Sequence, residues 1–172
     1  MKYVYHINVL DPQSIDRAYK EILDYKNRIL PQKVDEFTKE LASQGVEIAQ
    51  TMILDFDAVF TGELFDSISF QKKRSSKTNV RYIIKADSKH AIYVEMGTGI
   101  KGAETPYKGQ IPVVYAQGKT IHYLEDGRYG WFYPLPDGTW RFTEGMDSRP
   151  FMLETANTLH AIINDVAKRI FG

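Results

Sequence analysis

The sequence contains no cysteine, which excludes disulfides, a thiolate nucleophile and thiolate-held zinc together, and fits a reducing compartment. It has no excess of charge. Lys plus Arg and Asp plus Glu number 22 each, so no overall field draws the chain to nucleic acid or to an anionic membrane. Long apolar runs are also missing, and none approaches the roughly 20 residues that a membrane helix needs. Residues 1–10 are too short and too interrupted to form the apolar core of a signal peptide, so a soluble protein made inside the cell is expected. His6, His90, His122 and His160 are scattered without H-x-x-x-H or H-x-E spacing, which gives a metal no ligand frame. There is no internal repeat, no low-complexity tract and no G-x-S-x-G elbow.

What is present suits one domain with a real core: 172 residues, 43% hydrophobic and 26% charged. The β-branched and aromatic residues between Tyr3 and Leu10 predict a short strand. Asp11-Pro12 then supplies a helix N-cap and a first-turn proline, and Ile15, Ala18, Tyr19, Ile22, Leu23 and Ile29 follow at helical spacing. Pro31 is expected to break or kink that helix. A second stripe through Val34, Phe37, Leu41, Ile48 and Met52 predicts one helix from Gln32 to near Leu54, on the order of 35 Å long. Gly45 should weaken it by roughly 1 kcal/mol relative to alanine. After a turn at Thr61-Gly62, the alternation of Leu64, Asp66, Ile68 and Phe70 predicts a strand, with Asn79 to Ala86 as its partner. Ser88 is a candidate cap for a short helical segment ended by Gly97. Trp131–Leu135, the turn Pro136-Asp137-Gly138 and Thr139–Phe142 read as a β-hairpin, and Pro150 opens a final amphipathic helix. The expectation is an α+β fold in one domain of four segments: a strand-and-helix extension (1–30), a helix and sheet (31–99), an aromatic hairpin and loop arm (100–148) and a C-terminal helix (149–172).

Four constellations have chemical meaning. Gly97, Gly99 and Gly102 spell G-x-G-x-x-G, but no βαβ alternation surrounds them and Ala103–Pro112 does not read as the helix a pyrophosphate requires. Tight-turn glycines, with Thr98 bonding locally, explain the loop better. The carboxylates Asp55, Asp57, Glu63 and Asp66 lie close in sequence, and a solvated face accounts for them better than paired acid–base catalysis. The basic run from Lys72 to Lys77 is expected at a hairpin tip. There Lys72, Lys73, Arg74 and Lys77 could touch DNA phosphates, although a solvated tip that discourages sheet pairing is the favoured reading. Nine aromatics fall between Tyr107 and Phe142, more than a small sheet can cover, so Tyr129, Trp131, Tyr133, Trp140 and Phe142 are candidate interface residues.

Three blocks, in order, resemble one family. Thr61-Gly62-Glu63-Leu64-Phe65-Asp66-Ser67-Ile68 resembles its T-G-x-L-x-x-S-I block. His90-Ala91-Ile92-Tyr93-Val94-Glu95-Met96-Gly97-Thr98-Gly99 resembles its Y-A-x-Y-V-E-F-G-T block, with His90, Ile92 and Met96 departing from the pattern. Arg149-Pro150-Phe151-Met152 with Thr155-Ala156 resembles its R-P-F-[LM]-x-x-A helix start. The family is that of the gene-product-ten-like proteins of tailed bacteriophages, tail components or head–tail joining (tail-completion) proteins, and the resemblance covers about residues 30–172. It implies a structural virion part at the neck, made in the bacterial host cytoplasm, and not an enzyme. It also implies a ring of copies of this chain, a hexamer among the expected sizes, docked to neighbouring neck and tail proteins, with DNA passing nearby without specific binding and no membrane contact. Closed head-to-tail interfaces give rings. No cofactor or catalytic residue comes with the resemblance. It assigns turns to Gly62 and Gly97, and the core to Leu64, Ile68, Tyr93, Val94 and Phe151. Thr61, Ser67, Thr98, Arg149 and Pro150 complete the matched structural positions. Of the charged members, Glu95 is expected to be tied to Arg149 or to N–H groups of its own glycine turn, with two independent surface charges as the alternative.

Overall fold

The computed structural model describes residues 4–59, 62–76, 79–111 and 121–172. Helix α1 (Pro12–Asp24) starts as expected: the Asp11 carboxylate accepts a 3.0 Å bond from Gln13 N, and proline occupies the first turn. The strand expected before it is absent over residues 4–10. Asn8 N bonds to Ser14 Oγ (3.0 Å) and Leu10 N to Asn8 Oδ1 (3.1 Å), local bonds that compete with strand pairing. Nor does Pro31 break the helix. The chain passes through a π turn (Tyr25–Ile29) directly into α2 (Leu30–Asp55), with Leu30 N reaching back to Tyr25 O. That wider turn accommodates a residue that has no N–H and whose ring crowds the preceding carbonyls.

Leu64 and Asp66 lie in a short helix, α3 (Glu63–Asp66), and not in a strand. Gly62, at φ +81°, turns the chain into it, and four residues are too few for alternation to distinguish a helical turn from a strand. Strand β1 therefore starts at Ile68 and runs to Ser76, pairing with β2 (Asn79–Ala86). Lys72 and Lys73, expected at the tip, are within β1. Two short helices follow, α4 (Ala91–Met96) and α5 (Gly99–Glu104). A hairpin of β3 (Trp131–Pro134) and β4 (Trp140–Thr143) comes next, with Trp131 opposite Thr143 and Pro134 opposite Trp140. After β5 (Gly145–Met146), α6 (Phe151–Phe171) closes the chain. The class is α+β, as the sequence indicates.

Contacts group the chain into two compact units. The first comprises Met1–Val46, Phe70–Ile84 and Thr158–Gly172. In it Phe37 meets Phe171 edge-on with ring centroids 5.6 Å apart, and Arg169 bonds to Glu40 at 2.6 Å. Gly45 proves useful here. A Cβ on it would stand 2.3 Å from Ile84 Cδ1 and 3.1 Å from Leu159 Cδ1, so the bare backbone lets strand and helix side chains pack close. The second unit comprises Glu47–Ser69 and Lys85–Asn157. Its buried residues include Ala49, Ile53, Leu64, Ile68, Val94, Met96, Phe151 and Thr155.

Candidate functional site

The matched residues converge within the second unit, around the corner between α4 and α5. Glu95, on the last turn of α4, is only 7% exposed. Its two carboxylate oxygens accept from Met152 N (2.9 Å) and Leu153 N (3.0 Å), the otherwise unbonded donors of the first turn of α6. The carboxylate thus caps a 21-residue helix from another element, at the end where the aligned peptide dipoles favour negative charge. Burial raises the Glu95 pKa above the ordinary carboxylate value, while the two backbone N–H groups and the Tyr107 hydroxyl oppose that shift. Tyr107 is itself pushed up to about 12, by its burial and then by the neighbouring Glu95 charge.

Glu95 is therefore held neither by Arg149 nor by its own glycine turn. The Arg149 guanidinium donates to the Asp57 carbonyl at 2.6 Å, while Arg149 N donates to Val94 O at 2.9 Å. Arg149 precedes α6, whereas the free N–H groups begin inside it, and the carboxylate follows the donors. Ser148 Oγ adds a bond to Glu95 O at 2.7 Å. The segment before α6 is in this way fastened along the last turn of α4.

The glycines serve the same join. Gly97 has φ +76°, and a Cβ on it would lie 2.7 Å from Ser148 N and 2.9 Å from Met146 O. At Gly99 (φ +64°) the Glu144 carbonyl oxygen would be 2.2 Å away. Backbone lies directly on backbone, through bridges Thr98–Met146 and Gly99–Gly145. Thr98 is buried and its Oγ1 accepts from Met146 N at 3.2 Å, a bond spanning 48 residues where a local one was expected. The face of the loop that would receive a phosphate is occupied by residues 144–148 of the chain itself.

The remaining matched positions are mostly where the resemblance implies. Leu64, Ile68, Val94 and Phe151 are buried, Phe151 almost completely at 1%. Ser67 Oγ donates to Leu64 O at 2.7 Å, closing α3. Pro150 stands immediately before α6, where its missing N–H is no loss. Tyr93 is the exception: it is 43% exposed and does not belong to the core. On a helix it lies one residue before Val94 and so faces away from it. Ser88 is no helix cap in the strict sense. Its Oγ accepts from His90 N (3.2 Å) and donates to Glu63 (3.1 Å), and thereby ties the first block to the second. Sequence reasoning missed Tyr107, Ser148, Gly145 and the Asp57 carbonyl. An isolated tyrosine or a backbone carbonyl carries no pattern by which it could have been found.

The two candidate surfaces differ. Lys72 stays exposed but is paired within the first unit with Asp35 and lies 5.6 Å over the Tyr82 ring, and Tyr82 donates to the same Asp35 at 3.1 Å. Lys73 is exposed. Thr61, Lys77 and the Arg74 side chain lie outside the described residues. Trp140 on the hairpin (66%) and Tyr129 just before it (46%) are exposed, whereas Trp131, Tyr133 and Phe142 are half-buried. Phe142 packs edge-on against Phe132 and beneath Arg128. Among the described residues no three metal-ligating side chains converge, and no helix is long and apolar enough to cross a membrane. Compared with known proteins, the chain matches no family model, no curated protein and no solved structure.

Proposed function

We propose that this chain is a structural virion protein of a tailed bacteriophage, acting in tail completion or head–tail joining. It works by ring oligomerisation and by docking to neighbouring neck and tail proteins, and it is not an enzyme. The observation that carries this reading is the use to which the matched polar residues are put. Glu95, Thr98, Ser67 and the Arg149 guanidinium all bond to the chain's own backbone, so these groups build a corner and leave no acid, base or nucleophile aimed at open space. A corner of this kind suits a part whose task is to keep its shape under load.

The exposed aromatics of the hairpin supply a surface for assembly. Trp and Tyr are enriched at protein interfaces, and Trp140, at 66%, is more exposed than the hairpin's other exposed aromatic, Phe132. Deleting the gene from its source phage or prophage is expected to yield filled heads and separate tails in electron micrographs. Infectious, tailed particles at undiminished titre would overturn the proposal.

A further inference from the structure

We infer that the outward face of the β1–β2 ribbon, through Lys73 and Arg81, is a contact surface for the phosphate backbone of duplex nucleic acid. The starting point is a segregation of charge that the neutral total conceals. From Ser67 to Ala86 the sequence has six cations, Lys72, Lys73, Arg74, Lys77, Arg81 and Lys85, and no Asp or Glu. The structure divides them. Phe70 and Lys72 each lie against Tyr82 and so share one face, where Lys72, though exposed, is paired with Asp35. Alternation along each strand then puts Gln71 and Lys73 on the opposite face of β1, and Arg81 and Ile83 on that of β2. Lys73 and Arg81 are both exposed, and among the described residues neither has a carboxylate partner. Lys85 is half-buried and paired with Asp87, so it is not counted in the surface.

Two unpaired cations on a ribbon without anions attract a polyanion. Duplex nucleic acid fits better than an acidic protein because this face lacks the aromatic core that protein interfaces use. A two-stranded ribbon is also narrow enough to lie along a duplex groove. Phosphate contacts carry no base information, so binding will be independent of sequence. The inference does not rest on the virion reading, since it concerns charges whose placement is the same in a single subunit.

The test is fluorescence anisotropy of a short labelled DNA duplex with the full chain, over salt from about 50 to 200 mM. Wild type is expected to bind at low salt and to weaken steeply as salt rises. K73Q/R81Q is expected to unfold at the wild-type temperature, bind less tightly and lose about 2 from the slope of log affinity against log salt. K72Q should show the reverse, with a lower unfolding temperature and an unchanged slope. No duplex binding at low salt, an unchanged slope in K73Q/R81Q, or equally tight binding of polyglutamate by the wild type would each overturn the inference.

Discussion

Glu95 concentrates the physical chemistry of the matched corner in one side chain. Replacing it with alanine leaves two helix N–H groups without acceptors, at a cost of about 2–4 kcal/mol. At roughly 2–4 °C per kcal/mol for a chain of this size, Glu95→Ala should lower the unfolding temperature by roughly 5–15 °C in a thermal melt. The pH dependence has a definite sign. Because the folded-state pKa is raised, the folded chain binds this proton more tightly than the unfolded chain does. The associated stability is fully present below the ordinary value of 4.5 and is lost as pH climbs through the raised value. Wild-type stability relative to Glu95→Gln, which does not titrate, should therefore fall across that window in denaturant titrations. A difference that grows with pH would contradict it. Gly97 presents a second, purely steric case. Gly97→Ala adds a methyl against backbone atoms that cannot rotate away, at a positive φ, and should cost about 2–5 kcal/mol. Its measure is a lowered denaturation midpoint with an unchanged slope.

Elements were legible in proportion to how local their causes are. Asp11-Pro12 caps and starts α1 by itself, and the Asp137 carboxylate, bonded to Thr139 N at 2.9 Å, sets the β3–β4 turn together with Gly138 at φ +83°. The amphipathic stripes of α2 and α6 gave those helices to within two residues at each end. The misread elements are those whose pattern is short or whose partner is distant. Residues 4–10 have strand composition but pair with no strand among the described residues, and Val4, Val9 and Leu10 remain exposed. Residues 64–67 alternate like a strand yet form a helical turn, because Gly62 admits a left-handed conformation immediately before them. Pro31, a residue that ordinarily breaks a helix, is absorbed by the π turn that precedes it.

For the whole molecule, a net charge of zero is compatible with self-association, since no long-range repulsion keeps copies apart. Apolar side chains left uncovered in a single chain, Trp140 and Phe132 on the hairpin and Ile15, Tyr19 and Ile22 on α1, gain from burial in an assembly. Mass photometry over a dilution series should resolve the 19.8 kDa chain and one closed multiple of it, and Trp140→Ala should shift the balance towards the monomer about tenfold or more. A chain that stays monomeric at every concentration, with or without Trp140, would leave the hairpin without this role. Association and duplex binding are separable: Trp140→Ala should keep the salt slope, and K73Q/R81Q should keep the oligomer.

The sequence by itself determined the α+β class, the starts of α1 and α6, and the aromatic hairpin. Those features follow from periodicity, caps and turns, which operate over a few residues and leave their pattern in the order of side chains. Tertiary structure alone decided what the blocks do to one another. Glu95 finds its donors 57 and 58 residues away, and Arg149 finds its acceptor 92 residues away. Each of those partners is a backbone N–H or C=O, present at almost every position and therefore invisible in the sequence. The same holds for Lys72 and Lys73, adjacent and alike in sequence, of which the strand's alternation pairs one charge with Asp35 and turns the other to the opposite face.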